Sequence, residues 1–224
     1  MERLLVVYSK AKDAIFLSHF DTMRVIQESI LRANIPVKYL KDTNRVDITF
    51  AHSLSIGLES TGEIFELLIT EDMQPAYFIK AVNKVLPNGI TILTAESIDL
   101  NFKSIMTRVY AATYVIDFVY DEKKFENKSK KEIQELKNYY KDKMEEYINQ
   151  PYLLVLKKSK NRMERIDIKS QIIVHDFALD GSLEVTISAG SRINLNPECI
   201  MNGYREYIEE NILYNIKRTR ILYN

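Results

Sequence analysis

Residues 3–9 (RLLVVYS) form a short run of apolar and β-branched types, the pattern of a buried strand. Ser18 then stands three residues before Asp21, ahead of apolar Met23, Ile26 and Ile30. That is a capping-box opening to a helix, which Asn34 and Pro36 close. Residues 45–50 (RVDITF) and 63–70 (EIFELLIT) alternate as half-buried strands do, and the loop between them carries Gly57 and Gly62. Pro75 suits the first turn of a helix whose apolar face is Phe78, Val82, Val85 and Leu86, with Pro87-Asn88-Gly89 as its stop. Residues 90–98 complete the order βαββαβ, that of a ferredoxin-like unit.

The same grammar follows. Residues 108–120 predict a long strand, and Ser129-x-x-Glu132 caps a helix with Ile133, Leu136, Tyr140, Met144 and Tyr147 on one face. Extended runs at 152–157, 165–177 and 183–189 come next, the last two joined by a turn at Asp180-Gly181. Asn196-Pro197 opens a final helix bearing Ile200, Tyr204, Tyr207 and Ile208, and 216–223 predicts a closing strand. The expected fold class is α+β: two tandem ferredoxin-like units, antiparallel sheets with helices on one face. The expected domains are residues 1–100 and residues 101–224, the second with an extra strand or hairpin. No repeat of fixed period appears, so the duplication is one of element order.

Composition narrows the chemistry. The 224 residues carry 31 basic and 31 acidic side chains, and 46% are hydrophobic, values ordinary for a folded domain. The single cysteine, Cys199, excludes an intrachain disulfide and any site needing two thiolates from this chain, the three-cysteine cluster of radical enzymes among them. The apolar run Leu4–Val7 is too short for a signal peptide, and no run approaches the roughly 18 residues of a membrane span. The expectation is a soluble, cytoplasmic protein that does not engage a membrane. With six glycines there is neither a P-loop nor a G-x-G-x-x-G, and no cofactor is expected. His52 and His175 are isolated and no HxH or HxxxH pair exists, so no metal site is expected. Nor is there a G-x-S-x-G elbow or a cysteine in a catalytic context, and no residue is assigned a catalytic role.

Charge divides unevenly. Residues 1–100 hold 10 basic and 13 acidic side chains, residues 101–224 hold 21 and 18. Much of the excess lies in a predicted hairpin, Lys157 and Lys158 with Lys160, Arg162, Arg165 and Lys169, and in Lys217, Arg218 and Arg220 of the closing strand. Two readings stay open: a solvated surface that guards sheet edges, or a ridge that tracks phosphates, with tyrosines for stacking. The densest polar cluster is Phe16-Leu17-Ser18-His19-Phe20-Asp21 with Arg24. A helix start offers free N–H groups and positive dipole, so Ser18, His19, Asp21 and Arg24 form one anion-binding candidate, although capping alone explains Ser18 and Asp21. Arg192 and Asn194, ahead of Asn196-Pro197, form another.

Five segments, taken together, resemble a known family: FLSHFD at 16–21 with Arg24; Ala33 and Pro36; FAHSLSIGLES at 50–60 followed by Glu63; GSRINLNPE at 190–198; and IKRTRILY at 216–223. The chain is similar to the radical-SAM-linked proteins of the domain of unknown function 2344. It departs from them at Lys41-Asp42-Thr43-Asn44-Arg45, where that family has a Gly-Phe-Asn-Pro turn. The resemblance implies association with a radical S-adenosylmethionine enzyme on another chain, in the company of RNA metabolism. It implies no established activity. Two functions are expected from these observations: an accessory module that binds RNA or a protein partner without catalysis, or a metal-independent endoribonuclease of the tandem ferredoxin-like type. The second would draw a base, an acid and cations for the phosphate from His19, tyrosine or lysine groups and Arg24. It lacks the glycine-rich loop of such enzymes, since Gly181, Gly190 and Gly203 lie far apart.

Overall fold

The structure is a computed structural model that describes residues 1–41, 43–118, 128–159 and 162–224, without the side chains of 157–159 and 162. It is an α+β fold built on mostly antiparallel pairing. The chain divides into unit 1, Met1–Ala111 with Lys217–Asn224, and unit 2, Ala112–Ile216, whereas the sequence pattern alone divided it at 100/101.

In unit 1, β1 (Glu2–Lys10) lies between β4 (Ile90–Ile98) and β3 (Glu59–Ile69), antiparallel to both. The other edge of β3 is shared. Its 65–67 stretch pairs with the short β2 (Ile48–Phe50), and Glu59 and Ser60 pair in parallel with Lys217 and Arg218 of β10 (Asn215–Tyr223). The helices α1 (His19–Arg32) and α2 (Pro75–Asn83) fall between strands in the predicted order β1-α1-β2-β3-α2-β4, and a single helical turn, α3 (Ile105–Arg108), follows. The strand predicted at 45–50 shrinks to three residues, and the one predicted from 63 starts at Glu59.

The period of two along a strand explains the core. Leu4, Val6 and Tyr8 of β1 meet Leu67, Phe65 and Glu63 of β3 in register. They pack with Ile26 and Ile30 of α1 and Phe78 and Val82 of α2. Both rows end in charge: Lys10 prolongs the first and Glu63 ends the second, each 2% exposed.

In unit 2, β5 (Val109–Asp117) and β8 (Ile172–Phe177) flank β9 (Leu183–Ser188), and β6 (Leu154–Ser159) pairs with β7 (Arg162–Asp167) in a separate hairpin. The helix α4 (Lys130–Ile148) begins at the predicted capping box: the Ser129 Oγ accepts from the Glu132 amide at 3.3 Å, and the Glu132 carboxylate accepts from the Ser129 amide at 2.7 Å. α4 packs with α5 (Glu198–Ile208), and the Tyr204 hydroxyl donates to the Tyr140 carbonyl at 2.8 Å.

Unit 2 departs from the predicted order in two ways. The run 165–177 is two strands, because the Asp167 carboxylate accepts from the amides of Leu153 and Lys169 at 2.9 and 3.0 Å and turns the chain through Lys169–Gln171. The closing strand, from Lys217 on, counts with unit 1. Residues 119 and 120 of the predicted strand 108–120 lie outside the described residues, as does Asp42 of the segment 41–45. No helix among the described residues is long and apolar enough to cross a membrane.

Candidate binding site at the first helix start

After β1 the chain makes a short turn at Lys12–Phe16, and Ser18 then starts α1. The Ser18 Oγ accepts from the Asp21 amide at 3.1 Å and donates to the Asp21 carboxylate at 2.6 Å. Two of the candidate residues therefore serve one another as a cap. His19, half-buried, sets its ring edge-on to Phe50 with centroids 5.9 Å apart, and Arg24 is exposed one turn on.

Beneath this helix start lies a charge cluster. Arg218 is 1% exposed and faces Glu63: its Nε donates to one carboxylate oxygen at 2.6 Å, its Nη2 to the other, and its Nη1 to the Ser53 carbonyl at 3.0 Å. The Lys10 ammonium donates to the Leu17 carbonyl at 2.7 Å, directly before the N-cap. Burial pushes the Lys10 pKa down, with Arg218 adding to the shift and Glu63 opposing it. The same causes, with Lys10 joining Arg218, lower the His19 pKa and favour the neutral imidazole. Tyr8 is raised well above the ordinary phenol value by burial first and Glu63 second.

The surface around His19 is of another kind. Phe16 and Phe20, which flank the Ser18-His19 step, are 69% and 77% exposed. The Gly57 amide donates to the Ile15 carbonyl at 2.9 Å, so the loop with exposed Ile56 is held beside them. Solvated aromatic rings at a helix start next to an arginine can take flat rings on their faces and an anion at their edge.

The remaining candidates lie elsewhere. Lys217 is half-buried on β10, and its neighbour Arg218 is turned inward onto Glu63 rather than outward on a ridge. Arg192 and Asn194 are exposed in unit 2, ahead of α5. Lys157 and Lys158 lie on β6, with side chains outside the described residues. Glu63 belongs to the motifs that carry the resemblance, but neither its inward placement nor that of Lys10 follows from them. Their signal was a charge at the end of an alternating apolar row. Among the described residues, no three His, Cys, Asp or Glu side chains gather as around a metal ion.

The family model of domain of unknown function 2344, described as an uncharacterized protein conserved in bacteria, matches residues 3–197. No curated protein matches. Among solved structures, the crystal structure of a Cbf5-Nop10-Gar1 complex is similar with a TM-score of 0.51 and 9% identity, covering 97% of this chain and 48% of that one. The chain thus spans about half the length of that relative, and the likeness concerns the fold alone. The crystal structure of an unknown protein from Galdieria sulphuraria gives a TM-score of 0.30 at 10% identity, over 97% of this chain and 98% of that one.

Proposed function

The chain belongs to this family, and from that premise we propose that it is an accessory binding module, without catalysis of its own, that binds RNA for a radical S-adenosylmethionine enzyme supplied by another chain. The observation that carries the reading is the pair of exposed rings, Phe16 and Phe20, beside the exposed Arg24 on α1. Bases stack on such rings whatever their sequence, at roughly 1–3 kcal/mol each, and phosphates are drawn to arginine. Arg218 takes no part in that contact, since its guanidinium is bonded to Glu63 and to the Ser53 carbonyl; its role is to hold the strands under the platform. The link to a radical enzyme rests on the resemblance, and with one cysteine the chain leaves an iron–sulfur cluster of that kind to a partner.

The test is binding of unstructured RNA to the purified protein at about 50 and 200 mM salt, a range over which phosphate contacts lose affinity steeply. Phe16→Ala combined with Phe20→Ala is expected to weaken binding about tenfold or more, in line with the loss of stacked bases. Arg24→Gln is expected to flatten the salt dependence. Full binding by the double variant, or none at the lower salt, overturns the reading. One observation favours a second reading: a neutral imidazole at His19 is what a general base requires, and an endoribonuclease would use it so. RNA cleavage abolished by His19→Ala would put that reading in place of the first.

A further inference from the structure

On the side of its sheet turned away from the core, unit 1 carries a polar pocket of about 290 Å³ that the function proposed above does not use. Its size is at the small end of ligand sites, which run from roughly 300 to 1,000 Å³. Phe65, Leu67 and Ile69 of β3 face the core, so strand alternation sends Glu66 to the other side. In register it stands between Leu5 of β1 and Thr49 of β2. Glu66 is 6% exposed and accepts one hydrogen bond, from the Ile105 amide at 3.2 Å where α3 begins. That amide is its one partner among the described residues. Its other oxygen is not sealed in, and the residue lines the pocket. A carboxylate so buried is ordinarily paired with a cation, as Glu63 on the same strand is with Arg218.

The cations around the pocket are held elsewhere. Arg3 of β1 pairs in register with Leu68, which makes it the diagonal neighbour of Glu66 on the same face, about 7–8 Å away between backbones. Its Nη1 donates to the Phe102 carbonyl at 2.7 Å, and the rest of the guanidinium borders the pocket. Past Thr49, Lys38 and Asp47 lie 3.4 Å apart and neutralise one another. The Ser104 side chain, ahead of α3, makes no capping bond and lines the pocket too. Glu66 and Arg3 thus border one space, each with hydrogen-bonding capacity left over.

We propose that this pocket binds a free α-amino acid with an amide side chain, its ammonium on Glu66 and its carboxylate on Arg3. An α-amino acid carries both charges on one carbon, and so bridges a carboxylate and a guanidinium that stand too far apart to meet. The three donors of the ammonium match the open Glu66 oxygen and the hydroxyls of Thr49 and Ser104, while the guanidinium fork matches the ligand's carboxylate. A side-chain amide both donates and accepts, the complement of Asp47 and Lys38. The two carboxylates and two cations of the pocket sum to zero, which favours a zwitterion over a ligand with net charge.

The experiment is calorimetric titration of the full chain with L-glutamine and L-asparagine. N-acetyl-L-glutamine, which has no ammonium, and L-glutaminamide, which has no carboxylate, serve as comparisons. At least one of the two amino acids is expected to bind, and each blocked form to bind about tenfold more weakly or worse, the scale of one charged contact. Glu66→Gln keeps an acceptor for the Ile105 amide and removes the charge. It is expected to weaken amino-acid binding about tenfold or more, while the melting temperature of the unliganded protein stays or rises because a buried charge without a cation has gone. Arg3→Gln, at a half-buried position, is expected to weaken L-glutamine and to leave the weak binding of L-glutaminamide as it was. No binding of either amino acid at about 10 mM, enough to load even a millimolar site, overturns the proposal. So does a blocked form that binds as well as L-glutamine, or full affinity in Glu66→Gln. A protein that binds L-glutamine yet fails the RNA test above keeps this pocket and loses the other reading.

Discussion

Arg218 and Glu63 face each other at 1% and 2% exposure, and removing one partner of such a pair strands the other without water. Arg218→Met is expected to cost about 3–5 kcal/mol in chemical denaturation. Glu63→Met combined with Arg218→Met is expected to cost less than the two single losses added together, because neither charge is then left alone. Additive losses would show that the pair is not coupled. His19 carries a pH prediction. Its pKa in the folded protein lies below the value of about 6.5 that the unfolded chain has. Between the two values the unfolded chain holds a proton that the folded one does not, so this contribution is whole above about pH 6.5 and is lost as pH falls through that window. Acidification from neutrality is therefore expected to lower the urea midpoint of the wild type more than that of His19→Gln, and equal lowering would count against the half-buried placement.

At the level of elements, the approach of β3 to β10 is set by Gly62, where a Cβ would lie 2.2 Å from the Thr219 carbonyl oxygen. The Ser60 hydroxyl, which accepts from the Gly62 amide at 3.1 Å and donates to the Arg218 carbonyl at 3.0 Å, fastens the same spot. Gly62→Ala forces backbone apart and is expected to destabilise by about 1–3 kcal/mol or more. Hydrogen exchange at residues 217–223 is expected to speed up first; uniform acceleration through unit 1 would mean that the strand is not held at this point. Much at this scale was legible in the sequence. Ser18 with Asp21 and Ser129 with Glu132 announce both helix starts, and the apolar alternation of residues 3–9 announces β1, because caps and strand periodicity are local. The split of 165–177 was not legible, since it depends on Asp167 bonding back to Leu153. The place of β10 was no more so: its parallel partner is about 158 residues away, as the Ser60–Arg218 bond records, and pairing over that distance leaves no local trace. The candidate site was half legible. FLSHFD marked the helix start, but the inward Lys10 and Glu63 became visible only once the strands were in register.

For the whole molecule, unit 1 is made of two stretches of chain with unit 2 inserted between them. The insertion sets an order in time. A ribosome adding roughly 5–20 residues per second needs about 5–20 s to traverse residues 112–216. Throughout that interval Glu63 has been made and its arginine has not. The nascent first unit must wait with an open sheet edge and a hydrated carboxylate, and the ring-bearing helix start gains its buried support only after translation has passed through unit 2.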